Sequence, residues 1–259
     1  MYAPFDLTGK TVLVTGGNIG IGLAMGQALA DAGADIVLWG SNAERNECAR
    51  NTLAASGRHV LAQRVDVTDE AAIVAAMAEA IAEMGRIDTV IANAGTGGIA
   101  TPFVETTAND LRRVLAINLD GAYFTAREAC RHMVARARMG DPGGSIVLVG
   151  SAGTDSGMPR FGPYAASKGA LAPLMRSILA EHARHGIRVN LIQPGFIRTE
   201  MTDHFREKEK TEEWILASIP QRRWGHPTEC GGIAIYLASD ASSYQSGSTI
   251  TIDGGFLAS

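Results

Sequence analysis

Cysteine is nearly absent from this chain. Three residues in 259, at positions 48, 130 and 230, are too few and too scattered for a disulfide framework, and they lack metal-ligand spacing. Cys48, Cys130 and Cys230 read as reduced, structural thiols, which places the expected setting in the cytoplasm. An excess of positive charge is missing too. Twenty-three Lys and Arg against 27 Asp and Glu leave a net charge of −4, so no nucleic-acid partner is expected. No apolar run reaches the length of a membrane span, so no membrane partner is expected either. The segment from Met1 to Lys10 has no basic stretch leading into an apolar one, and it is not read as a secretory signal. His182 and His185 fall near an expected helix end, where cations suit the dipole, and no metal site is expected.

What is present is ordinary in bulk and particular in pattern. A composition of 46% hydrophobic and 19% charged residues fits a globular protein, long enough to bury the full core of one α/β domain. Short apolar, β-branched runs at 11–15, 36–39, 59–65, 88–91, 145–150, 187–191 and 248–252 read as strands. Between them, helical spacing runs over 20–33, 43–55, 69–84, 106–137 (with a polar insert at 118–121), 161–184 and 227–238. Strands alternating with helices imply right-handed crossovers and a parallel sheet covered on both faces. The segments with unusual chemistry, 15–22, 93–95, 151 and 194–199, each follow a strand end, where ligands of such sheets bind. Residues 196–226 are charged and irregular, the one candidate for an inserted, mobile piece.

Two motifs carry chemistry. Gly16, Gly17, Gly20 and Gly22 crowd the turn between the first strand and the first helix. Glycines let the backbone approach a pyrophosphate, and the helix N-terminus offers free N–H donors and the positive dipole end. The spacing is T-G-x-x-x-G-x-G rather than the commoner G-x-G-x-x-G. Farther on, Tyr164 and Lys168 stand four residues apart, on one face if the segment is helical. An ammonium near a phenol favours the phenolate and brings its pKa toward the working range. Ser151, at the end of the fifth strand, can converge on the same volume.

Taken together, Thr15, Gly16, Gly20 and Gly22, then Asn93-Ala94-Gly95, then Tyr164 and Lys168 resemble the short-chain dehydrogenase/reductase family over essentially the whole chain. The resemblance implies a single Rossmann-type, doubly wound domain over 1–259, with seven parallel strands in the order 3-2-1-4-5-6-7. It implies that Asn118, Ser151, Tyr164 and Lys168 are catalytic. Tyr164 would be general acid and base, Ser151 would hold the substrate oxygen, and Lys168 would lower the Tyr164 pKa and hold the nicotinamide ribose. Asn118 would keep a water linking Lys168 to solvent, though an asparagine there can equally satisfy broken helix backbone. Contacts to the cofactor fall to Gly16, Asn18, Ile19, Gly20, Ile21 and Gly22 of the turn, to Ser41 and Asn42, and to Asp66 and Val67. Asn93, Ala94, Gly95, Tyr164, Lys168, Pro194, Gly195, Ile197 and Thr199 complete the set.

The resemblance also implies NADP or NAD as cofactor. NAD-preferring relatives place an acidic residue where this chain has Gly40, while NADP-preferring relatives add a cation where it has Ser41, Asn18 and Ile19. Ser41, Asn42 or Arg45 could meet a 2′-phosphate, and the balance leans to NADP. A carbonyl or secondary alcohol is the expected substrate, small and polar like a sugar, sugar acid or polyol. The alternatives are a 3-oxoacyl thioester and a catalytically silent nucleotide sensor. Residues 196–226 would form a mobile lid, where Phe196, Trp214 and Trp224 either line the substrate or pack the lid down. Arg160 would be a surface arginine or meet an anionic substrate, and 206–210 a solvated helical face. A homotetramer is the family expectation, pairing helices around 107–137 and 161–184 through small residues such as Ala165, Ala166, Ala170 and Ala172.

Overall fold

The alternation of apolar runs and helical stretches becomes alternation in space. The computed structural model describes residues 3–258; Met1 and Tyr2 of the N-terminal segment, and Ser259, lie outside the described residues. In chain order the elements are β1 (Thr11–Thr15), α1 (Gly20–Asp31), β2 (Asp35–Gly40), α2 (Ala43–Ala54), β3 (Val60–Arg64), α3 (Glu70–Met84) and β4 (Thr89–Ala92). Then come α4 (Ala108–Leu115), α5 (Gly121–Arg138), β5 (Gly144–Val149), α6 (Gly153–Ser156), α7 (Gly162–Gly169), α8 (Leu171–His182) and β6 (Ile187–Pro194). The chain ends with α9 (Asp203–Arg206), α10 (Glu209–Ser218), α11 (Gly231–Ala238) and β7 (Thr249–Ile252).

The seven strands pair in parallel in the order β3-β2-β1-β4-β5-β6-β7, as expected. Strand β1 shows why these runs are apolar throughout. Val12 and Val14 point into one core with Ile36, Leu38 and Met25, while Leu13 points into the other with Val37, Trp39 and Met77. Each face has its own helical layer, so neither face of the strand meets water. Order reverses between β1 and β4, and there the carboxyl ends of the strands open a crevice.

Helix starts follow local chemistry. Asn42 caps α2 by accepting from Arg45 N at 2.9 Å, and Asp69 caps α3 by accepting from Ala72 N at 3.1 Å. The stretch read as one helix over 161–184 is broken at Ala170, because Pro173 has no N–H to donate to the preceding turn. The polar insert at 118–121 is part of a π-helical turn, Ala116–Asp120, between α4 and α5. The reading of 196–226 as irregular is corrected. It carries α9 and α10, pinned by a small cluster of Ile215, Ile219 and Trp224 with Phe196, Phe205 and Phe256. Its apolar residues are too few among the charges to show helical spacing in sequence. Among the described residues no helix is long and apolar enough to cross a membrane, and no group of side chains could hold a metal ion.

Candidate active site

A groove of about 630 Å³ runs along the carboxyl ends of β1, β2, β3 and β4. Its floor is built from glycines that cannot be anything else. Gly16 and Gly20 adopt φ of +61° and +55°, in the left-handed region. A Cβ at Gly22 would lie 2.2 Å from Gly16 O and 2.5 Å from Asn93 Nδ2. Thr15 Oγ1 accepts from Asn93 N at 3.0 Å and Ala94 N at 2.9 Å, while Asn93 Nδ2 donates to Thr15 O at 3.0 Å. The two loops of the crevice are thereby tied to each other. Side chains cap the N-termini of α2, α3 and α4, but Ile19 at the start of α1 supplies no cap. The free N–H groups of α1 and a glycine floor fit the pyrophosphate of a dinucleotide.

At the far end of the groove, Gly40 closes β2. A Cβ there would lie 2.3 Å from both Asn18 Nδ2 and Asn46 Oδ1, which hydrogen-bond each other at 2.7 Å. The buried Asn46 also donates to Gly40 O at 2.9 Å and Gln63 O at 3.0 Å. A side chain at position 40 would have to displace this neutral amide bridge. Three arginines lie along the groove or at its edge. Arg45 and Arg113 line the groove, and Arg64 donates to Ser41 O at 3.2 Å. Arg45 also pairs with Glu200 at 3.1 Å.

Ser151 follows β5 and lines the same cavity as Tyr164, and Lys168 lies one turn from Tyr164 on α7. Burial pushes the Tyr164 phenol up, and the Ser151 hydroxyl beside it pulls the other way. Lys168 is buried, donates from Nζ to Val149 O at 2.7 Å, and is pushed down to about 8 by burial. At the phenol burial acts upward and the Ser151 hydroxyl downward, while the Lys168 ammonium is engaged by Val149 O. Gly95 makes room for this arrangement, since a Cβ there would lie 3.2 Å from Lys168 Nζ and 3.3 Å from Asn118 Oδ1. Asn118 is fully buried. Its Oδ1 accepts from Thr96 N at 2.7 Å, and its Nδ2 donates to Thr96 O at 2.9 Å and Ser167 Oγ at 3.0 Å. The amide thus binds the loop after β4 to α7 and leaves its own helix backbone to the π-turn.

Ser151 and Tyr164 form one end of a second, smaller cavity of about 70 Å³. Its walls come from the segment after Ser151, from the α9 region and from the turn after β7: Met158, Phe161, Phe196, Met201, Phe205 and Phe256. The rings pack on one another, with Phe161–Phe205 centroids 5.6 Å apart and Phe196–Phe256 5.1 Å apart. Phe196 thus lines the cavity, Trp224 packs beneath it, and Trp214 is exposed. Arg160 is exposed and outside the cavity lining, the plainer of its two readings.

Of the expected cofactor residues, Gly16, Asn18, Ile19, Ser41, Asp66, Val67, Ala94 and Gly95 line the large groove. Gly20, Ile21, Gly22 and Asn93 shape its floor from beneath. Asn42 spends its carbonyl on capping α2. Pro194, Gly195 and Ile197 lie at the end of β6 beyond the groove, and Thr199 leans over Gly20, 3.3 Å from a Cβ built there. Sequence reasoning missed Asn46, Arg64 and Arg113. Asn46 follows Asn42 by one helical turn, a detectable spacing, whereas Arg64 reaches Ser41 only because β2 and β3 pair Gly40 with Arg64.

Comparison with known proteins adds four findings. The family model described as enoyl-(acyl carrier protein) reductase matches residues 16–257. Gluconate 5-dehydrogenase of Gluconobacter oxydans is 35% identical over 98% of this chain and 97% of its own. Among solved structures, a gluconate 5-dehydrogenase from Burkholderia cenocepacia, in complex with NADP and tartrate, superposes with a TM-score of 0.93 at 34% identity, covering 99% and 98% of the two chains. A short-chain type dehydrogenase/reductase from Mycobacterium marinum gives a TM-score of 0.91 at 32% identity over 98% and 97%.

Proposed function

The chain belongs to the short-chain dehydrogenase/reductase family and is an NAD(P)-dependent oxidoreductase of a carbonyl–alcohol pair; on that premise we propose that it interconverts a ketone and a secondary alcohol on a small polyhydroxylated carbon chain. The observation that carries the proposal is that Ser151 and Tyr164 line the smaller cavity while Lys168, one turn from Tyr164 on α7, faces Gly95 of the dinucleotide groove. Gluconate, in the names of the relatives, supports the substrate class. Bound nicotinamide supplies or accepts the hydride. In reduction, the Tyr164 phenol gives its proton to the substrate oxygen, and the Ser151 hydroxyl donates a hydrogen bond to that oxygen as negative charge develops. In oxidation Tyr164 takes the proton back. Lys168 faces the groove as the site's buried cation, and Asn118 fixes the loop that Lys168 packs against.

We place NADP ahead of NAD, because Gly40 supplies no carboxylate, its neighbourhood is filled by the Asn18–Asn46 bridge, Arg64 reaches Ser41 O, and Arg45 and Arg113 line the groove. Residues 196–226 act as a movable cap, since Met201, Thr202, His204 and Phe205 close the cavity from that side. The chain works in the cytoplasm as a homotetramer; the face between α5 and α8 carries a groove lined by Tyr123, Val134, Leu174 and Ile178, suited to helix pairing. Sedimentation should give four times the chain mass of 27.2 kDa. A second reading, reduction of a 3-oxoacyl thioester, draws on the apolar walls of the cavity, and acetoacetyl-CoA turnover tests it. The experiment that tests the main proposal is titration with NADPH and NADH by nicotinamide fluorescence, followed by turnover of D-gluconate and D-glucitol with each oxidised cofactor. NADPH should bind more tightly, and failure of both cofactors to bind would sink the proposal.

A further inference from the structure

The substrate cavity is unlike a receptor for an anion. Six apolar side chains make its walls, and His204 is the only lining residue able to carry a positive charge among the described residues. His204 is itself exposed and stacked on Phe205, with centroids 3.9 Å apart. The cation at the bottom of the site, Lys168, is tied to Val149 O and faces Gly95 and Asn118, toward the cofactor groove. Asp155, whose Oδ2 accepts from Gln193 Nε2 at 3.0 Å, is exposed and outside the lining. Arg160 and Arg198 are exposed and belong to neither wall. A carboxylate carried into this cavity would lose its water and gain no partner of opposite charge. The C–H face of a neutral polyol loses little by lying on aromatic rings, and its hydroxyls can reach Ser151, Tyr164 and Thr202.

We infer that the site selects an uncharged polyol or ketose over a sugar acid of the same length, with Met158, Phe161, Phe196, Met201, Phe205 and Phe256 as the selecting wall. The inference rests on the reading of Ser151 and Tyr164 as the reacting end, and it departs from the gluconate in the relatives' names.

D-Glucitol and D-gluconate form the test pair, because they differ only in CH₂OH against COO⁻ at one end. Their affinities are measured by calorimetry on the Tyr164→Phe variant loaded with NADP⁺, which keeps the cavity and removes turnover. D-Glucitol should bind at least about tenfold more tightly, the burial cost of an unpaired carboxylate being the difference. D-Gluconate binding as tightly, or neither ligand binding, overturns the inference. Met201→Lys supplies the missing cation at a half-exposed position that tolerates it. It should shift the ratio about tenfold toward gluconate, and an unchanged ratio overturns the role given to the wall. Turnover by the wild type is read separately. If no secondary alcohol is oxidised, the reaction proposed above fails, while the binding ratio still decides selectivity.

Discussion

The dinucleotide groove and the substrate cavity adjoin along the loop after β4, where Gly95 and Thr96 line the one and Gly97 lines the other, and they are built on opposite principles. The groove is made of backbone. Its shape depends on positions where a Cβ would collide, namely Gly22 and Gly40, on the tight approach at Gly95, and on side chains that bond main-chain groups, namely Thr15, Asn46, Asn93 and Asn118. The cavity is made of side chains from segments far apart in sequence, Met158 and Phe161 on one side, Phe196 to Phe205 on another, Phe256 on a third. A backbone-built site takes one invariant ligand and tolerates almost no substitution. A side-chain-built site can be retuned residue by residue without disturbing the sheet, and this is how one fold accommodates many substrates.

The sharpest break is at Tyr164. Tyr164→Phe removes the proton and leaves both regions in shape, so kcat should fall about 10³-fold, within the range for general acid–base groups. The Kd for NADPH, by fluorescence titration, should stay within a factor of two or so. If turnover persists, another group moves the proton.

A matched pair of glycines tests the contrast directly. Gly22→Ala forces a methyl against Gly16 O and Asn93 Nδ2. It should lower stability by about 3 kcal/mol, as overpacking against backbone does, with loss of cofactor binding. Gly97→Ala, across the boundary, would meet only Met201, Cγ at 3.7 Å and Sδ at 3.9 Å, ordinary contacts. Its melting temperature and NADPH affinity should match the wild type, with any change confined to substrate KM. Equal damage from the two would erase the distinction between the regions.

The same contrast governs what the sequence discloses. The strands, their alternation with helices and the glycine turn are legible because they are local: β-branched runs, helical spacing and residues with unusual φ announce themselves. The Tyr164 and Lys168 pair is legible because four residues make one helical turn. The caps at Asn42 and Asp69 belong to the same class. The substrate cavity is not legible, since no spacing relates Met158 to Phe205 or to Phe256. The α9–α10 segment escaped for a related reason, its fold being held by three buried residues amid charge. Arg64 becomes a neighbour of Ser41 only through strand register, and register is a property of the assembled sheet.

Titration of the buried pair gives the next effect. The Lys168 ammonium is pushed down to about 8, and the Tyr164 phenol is pushed up. A lowered lysine pKa means that the ammonium is complete below about 8 and is lost as pH rises through it, whereas the phenol stays protonated across that interval. Carbonyl reduction needs both protonated. Its kcat/KM should be level at acid and neutral pH and fall up to about tenfold per pH unit above about 8. Lys168→Arg keeps its charge and should move the fall to higher pH with a lower plateau. A wild-type profile that stays level beyond this range would show that the Lys168 charge plays no part in the reaction.

The smallest effects lie where the two regions touch at the surface. Arg45 projects from the first turn of α2 over the groove and pairs with Glu200, which opens the segment that covers the cavity. The pair is exposed on both sides, so it contributes little to stability and is easily exchanged. A 2′-phosphate carries more charge than a carboxylate and can take a guanidinium from it. Arg45→Gln should therefore raise the Kd for NADPH about tenfold and leave NADH nearly unchanged, the size of one lost charge-assisted hydrogen bond. Glu200→Gln removes the competitor and should tighten NADPH about two- to threefold, the scale of an exposed ion pair. If Arg45→Gln weakens both cofactors alike, the arginine serves the groove in general. If Glu200→Gln changes nothing, the backbone-built and side-chain-built regions are independent even where they are joined.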